Sequence, residues 1–175
     1  HDVGVLGGRI LPEWIGGNCP AWLEQLFSQL TKFEDGTFNW RKIGFEGALG
    51  IMDFGNEPFI LDYTQKDHPD IQFFGANMAF RKQVLKKYGG FNITKKFSQD
   101  TEICERLFNA GVKGVYVPNA RLYHKIPVIK GTPMFYYRWW FDRGVYSDCK
   151  ETLNFAFILK IINFFQKSFL ETDLL

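Results

Sequence analysis

The stretch Phe97-Ser-Gln-Asp-Thr-Glu-Ile-Cys-Glu-Arg-Leu107 sets one acidic residue, Asp100, at the start of a segment whose apolar positions return at helical spacing. Ile103, Leu107 and Ala110 fall on one face, and Glu102, Glu105 and Arg106 fall toward solvent. Gly111 supplies the stop, so a helix is expected over residues 100–110. Gly-Ala-Asn (75–77) and Gly-Gly-Phe (89–91) precede it in order, and His124 follows.

Working outward, the apolar run at residues 3–6 reads as a strand that Gly7-Gly8 turns, and Pro12 marks a loop. Pro20 opens a helical pattern through Trp22, Leu23, Leu26, Phe27 and Leu30. Residues 33–70 mix glycines, aromatics and acids, which predicts short strands and a long loop. A buried strand is expected at 71–74, and a short helix at 82–88 that Gly89 closes. Beyond the central helix, 112–117 reads as a strand stopped by Pro118, with a second extended run at 120–124 and a loop at 127–133.

The 175 residues, 46% apolar and 18% aromatic, suit one globular domain with a sizeable core. A net charge of +2 is too mild for a nucleic-acid partner. The pairs Lys86-Lys87 and Lys95-Lys96 read as solvated helix ends. Cys19, Cys104 and Cys149 are odd in number and lack C-x-x-C spacing, which argues against a disulfide framework or zinc knuckle and for a reducing compartment. The start at His1 shows no signal-peptide pattern and reads as a truncation. Asn92-Ile-Thr94 matches a glycosylation acceptor, a triplet frequent by chance. Residues 152–170 are mostly apolar but carry Lys160, Asn163, Gln166 and Lys167. That pattern suits an amphipathic helix on a membrane surface or partner better than a membrane span, and equally a helix packed on its own domain.

Asp100 reads in two ways that exclude each other only in part. It can cap the helix start, or it can act as a general base facing a cleft. His124, beside a tyrosine, is either a satisfied structural residue or a ligand for a divalent metal such as Mn²⁺. Gly75-Ala76-Asn77 is a plain turn, or a place where backbone and amide approach a ligand. Arg138-Trp139-Trp140 with Arg143 combines guanidinium groups with aromatics, suited to diphosphate contact and sugar stacking, or to a half-buried amphipathic helix.

Taken together, the order of these motifs resembles the second half of the GT-A fold in family 2 glycosyltransferases, over roughly residues 3–146. The likeness rests on the strand with Gly7-Gly8, the Gly75–Asn77 strand end, the Gly-Gly-Phe turn and the acid-led helix. It implies an α/β fold, a partial Rossmann-like GT-A domain with a mixed sheet flanked by helices over residues 1–148, and an amphipathic tail at 149–175. Asp100 takes the place of the family's base and His124 that of a metal-binding histidine. Gly75, Ala76, Asn77, Gln99, Arg138, Trp139 and Arg143 are the implied substrate contacts. The implied reaction is inverting transfer of one sugar from a nucleoside-diphosphate-sugar to a glycan or glycolipid hydroxyl. A divalent metal, Mn²⁺ or Mg²⁺, assists it, at the inner face of the cell membrane or in the cytoplasm. Gln99 stands where the family carries a first acid, and Phe135 where polymerising members carry a glutamine, which favours single-sugar transfer. The family's nucleotide-binding half and its D-x-D are absent from the sequence. The competing expectation is a non-catalytic glycan- or partner-binding module at a membrane surface.

Overall fold

A computed structural model describes residues 3–24, 46–65, 73–95 and 98–146, without the side chains of 46, 47, 140 and 143–146. Within them lies a four-stranded mixed sheet in the order β2-β4-β1-β3. β1 is Val3–Ile15, β2 Phe59–Leu61, β3 Met78–Phe80 and β4 Lys113–Pro127. β1 and β4 run parallel from Val3 opposite Lys113 to Ile15 opposite Pro127, while the short β3 and β2 pair antiparallel on their outer edges. The helices are α1 (Lys82–Tyr88), α2 (Gln99–Asn109) and α3 (Pro133–Tyr146), with single helical turns at 21–24 and Glu46–Leu49. The molecule is therefore α/β, with an open mixed sheet flanked by helices.

Three expected interruptions of the strands do not occur. β1 runs straight through Gly7-Gly8, because these glycines serve close packing and not a turn. A Cβ on Gly7 would stand 2.1 Å from the Phe73 ring, and one on Gly8 2.3 Å from the Ala120 carbonyl. Pro12 also stays within β1. Ile10 N–H donates to Met52 O, so the nitrogen two residues later faces that same side, away from β4, and its missing proton breaks no β1–β4 bond. Pro118 does not end β4. Gly8 pairs with Val117 and Arg9 with Arg121, so residues 118–120 form a bulge in which proline is tolerated.

The helix expectations hold more closely. α1 ends at Gly89, whose φ of +86° favours glycine, and α2 spans 99–109. Of the strand expected at 71–74, Phe73 and Phe74 are described and form no ladder, although Phe73 is fully buried. Most of the helix read at 20–32 and the whole tail at 149–175 lie outside the described residues.

Two apolar clusters form the core. In the first, Ile103, Leu107 and Phe108 of α2 pack with Phe73 and with Val5, Ile10, Leu61 and Tyr116 of the sheet, and Val84, Leu85 and Tyr88 of α1 join them. Gly114 lets the Phe73 and Phe108 rings come within 2.9 and 3.0 Å of where its Cβ would be. In the second, Leu23, Leu49, Ile51, Ile126 and Tyr136 gather beneath the far end of β1 and β4, with Trp14, Trp22 and Trp139 against them. α2 is thus fixed against the sheet along one face, and its N-terminal turn is left at the edge of that packing.

Candidate functional site

Three segments meet at the N-terminal end of α2 and enclose an open hollow of about 520 Å³, lined by Gly75, Phe91, Asn92, Ile93, Lys95, Gln99 and Asp100. They are the 3₁₀ turn Gly75–Asn77, the loop after α1 and the first turn of α2. Gln99 closes the loop onto the helix by donating from Nε2 to Lys95 O at 2.8 Å.

Asp100 is not the N-cap. Ser98 holds that place in a left-handed conformation (φ +57°), the one non-glycine residue with positive φ among those described, and its side chain makes no capping bond. Asp100 is the second residue of α2, where a carboxylate still suits the positive helix end. Its Oδ1 accepts from Thr101 N–H at 2.9 Å, and its Oδ2 accepts from Gly75 N–H at 2.9 Å, tying the helix start to the 75–77 turn. Each oxygen keeps further acceptor capacity, so the group is oriented without being used up.

The loop side is braced from the same helix. Arg106 pairs with Glu102 at 2.7 Å, and its guanidinium donates to the carbonyls of Tyr88, Gly89 and Gly90. That pairing holds the Glu102 carboxyl below the usual range. Arg106, expected to face solvent, is instead the strap that sets the Gly-Gly-Phe turn against α2. Cys104 lies one turn beyond Asp100 with Sγ 3.8 Å from Phe73 O. Burial pushes its thiol up to about 12, which suits a packing role and not a nucleophile.

Of the residues expected at a site, Gly75, Gln99 and Asp100 converge on the hollow. Ala76 is exposed on the adjoining turn. Asn77 turns toward the sheet, where Nδ2 donates to Arg9 O at 3.0 Å and Ala120 O at 2.8 Å, stitching β1 to β4 at the bulge. His124 sits on β4 opposite Pro12, half-buried, with Nδ1 3.3 Å from Gly50 O. Arg138 is exposed on α3, Trp139 packs on the second core cluster, and Arg143 lies in α3 with its side chain outside the described part. No three His, Cys, Asp or Glu side chains among the described residues group to hold a metal.

The sequence reading missed Phe91, Asn92, Ile93 and Lys95 as lining residues. Gly-Gly-Phe was visible as a turn, but which side of the turn faces Asp100 depends on the Arg106 strap. It also missed the pair Arg9–Asp53, 2.6 Å apart and largely buried, with Asn56 on the second guanidinium nitrogen at 2.8 Å. No local pattern marks that pair, since its members come from β1 and a distant loop.

Fold and site together define an α/β domain with a carboxylate presented at a helix N-terminus over an open, mixed polar and aromatic hollow. No protein-family model, curated protein or solved structure matches the chain. No helix among the described residues is long and apolar enough to cross a membrane.

Proposed function

We propose that this chain is the acceptor-binding part of an inverting glycosyltransferase of the GT-A kind, with Asp100 as the general base. The observation that carries the reading is the placement of the Asp100 carboxylate at the hollow, held by Gly75 N–H at 2.9 Å. The order of the mixed sheet, the 75–77 turn and the acid-bearing α2 supports the fold assignment. Asp100 takes the proton of an acceptor hydroxyl as that oxygen attacks the anomeric carbon of a nucleoside-diphosphate-sugar. The bond from that carbon to the diphosphate breaks on the opposite face, so the configuration inverts. Holding hydroxyl and carboxylate in one rigid place supplies much of the advantage.

Gln99 cannot share the base's role as a second acid would. Its amide ties the Lys95 carbonyl to the start of α2, which keeps Asp100 at the wall of the hollow. Arg138 and Arg143 are the residues we assign to charge on the departing diphosphate. A divalent metal would neutralise the same charge. His124 is the residue we assign toward it. On this reading the donor nucleotide is bound chiefly by a partner half that these 175 residues do not contain, and the acceptor is a glycan or glycolipid met at a membrane surface.

The non-catalytic reading draws on one observation, that both oxygens of Asp100 already accept backbone N–H bonds. The two are separated by Asp100→Asn in the enzyme with its donor-binding half. Turnover should fall by roughly 10²–10⁴-fold, as for a lost general base, with donor affinity unchanged. Turnover equal to wild type would overturn the assignment.

A further inference from the structure

We infer that Phe91 is the platform on which the acceptor's sugar ring lies, with Asp100 at the hydroxyl edge of that ring. Phe91 lines the same hollow as Asp100 and is 48% exposed. A singly exposed apolar side chain needs no explanation in general, so exposure decides nothing here. What decides is how the ring is held and what surrounds it. Phe91 packs edge-on against Phe80, centroids 5.8 Å apart at 89°, so one part of the ring is fixed by β3 while the rest stays open. The turn that carries it is strapped by Arg106, which is paired with Glu102 on the helix that also bears Asp100. Platform and carboxylate therefore belong to one braced unit.

The surroundings match the chemistry of a pyranose. Such a ring has flat faces of C–H groups and an edge of hydroxyls, so it is best received by one aromatic surface flanked by planar amides and charged groups. The hollow supplies one exposed aromatic ring, Phe91, and beside it Asp100, Gln99, Asn92 and Lys95. A hollow for an acyl chain would need continuous apolar walls, and four of its seven lining residues are polar or charged. The inference rests on the transfer reading only in taking the bound sugar to be the acceptor.

The experiment is saturation-transfer NMR on the 175-residue chain with three probes: methyl β-glucopyranoside, methyl β-galactopyranoside and methyl N-acetyl-β-glucosaminide. We expect saturation of the ring C–H protons of at least one. Its dissociation constant should rise roughly tenfold or more in Phe91→Leu, which keeps apolar bulk without a flat face, and recover in Phe91→Trp. Ile60→Ser, which removes an exposed apolar side chain outside the hollow, should change it by no more than about twofold. Circular dichroism melts matching wild type show that the variants fold. Equal binding by Phe91→Leu and wild type overturns the platform, as does absence of saturation of all three sugars by the folded wild type. Failure of Asp100→Asn to slow transfer would sink the base and leave a sugar platform. Unchanged binding in Phe91→Leu would sink the platform and leave the base.

Discussion

A Cβ on Gly8 would stand 2.3 Å from Ala120 O and 2.4 Å from Asn77 Nδ2, and the first of these is backbone inside a bulge. Gly8→Ala must therefore push β1 from β4 or break the two hydrogen bonds that Asn77 Nδ2 donates to Arg9 O and Ala120 O. We expect a loss of about 1–3 kcal/mol, read as a lower urea midpoint with unchanged slope. At this scale the sequence was legible where a residue acts through near neighbours. Asp100 sits within a recognisable helix start, and Gln99 bonds four residues back to Lys95. Gly8 was misread because its partners are far along the chain, so a packing glycine looked like a turn, and the backbone partners of Asn77 Nδ2 are equally beyond a local pattern.

Between elements, the pair Arg9–Asp53 joins β1 to the loop that supplies the Met52 bridge. Asp53 also accepts from Gly55 N–H at 3.0 Å, and Tyr116 OH donates to Gly55 O at 3.2 Å, so the loop is bound to both central strands. Arg9 Nε is buried with no hydrogen-bond partner among the described residues, and the guanidinium is held there by its other two nitrogens. Arg9→Met leaves a buried carboxylate uncompensated and should cost about 3–5 kcal/mol by chemical denaturation. The double variant Arg9→Met with Asp53→Leu should recover most of that loss, because no charge is left alone. A double variant as unstable as the single one would show that the pair orders the loop beyond its own charges. Helix extents were legible because the helical period and the glycine stops are local. Strand extents were not, because whether Pro12 or Pro118 breaks a ladder depends on which edge is paired.

Across the whole molecule, the longest pairing joins the N-terminal strand to β4, far along the chain, with Val3 opposite Lys113 and Ile15 opposite Pro127. Its centre, Val5–Gly8 against residues 114–117, is covered on both outer edges by β3 and β2 and underlain by the first core cluster. Amides there should exchange only by global opening, while those of the 91–95 loop should exchange through local opening with a lower free energy, as read by hydrogen exchange. Equal protection in the two regions would show that the hollow is part of the core unit.

The sequence by itself determined the α/β character, the acid at the head of α2, the glycine-closed α1 and the candidate base, since each is written in spacing over a few residues. Only the tertiary structure decided that Gly7, Gly8 and Pro12 lie inside one unbroken strand, and that Asn77 serves the sheet. It also decided that Arg106 braces the site and that Phe91 lines the same hollow as Asp100. Those outcomes depend on which distant backbone lies alongside, and a side chain's role is then fixed by steric approach and by buried polar groups finding partners, neither of which a local pattern contains.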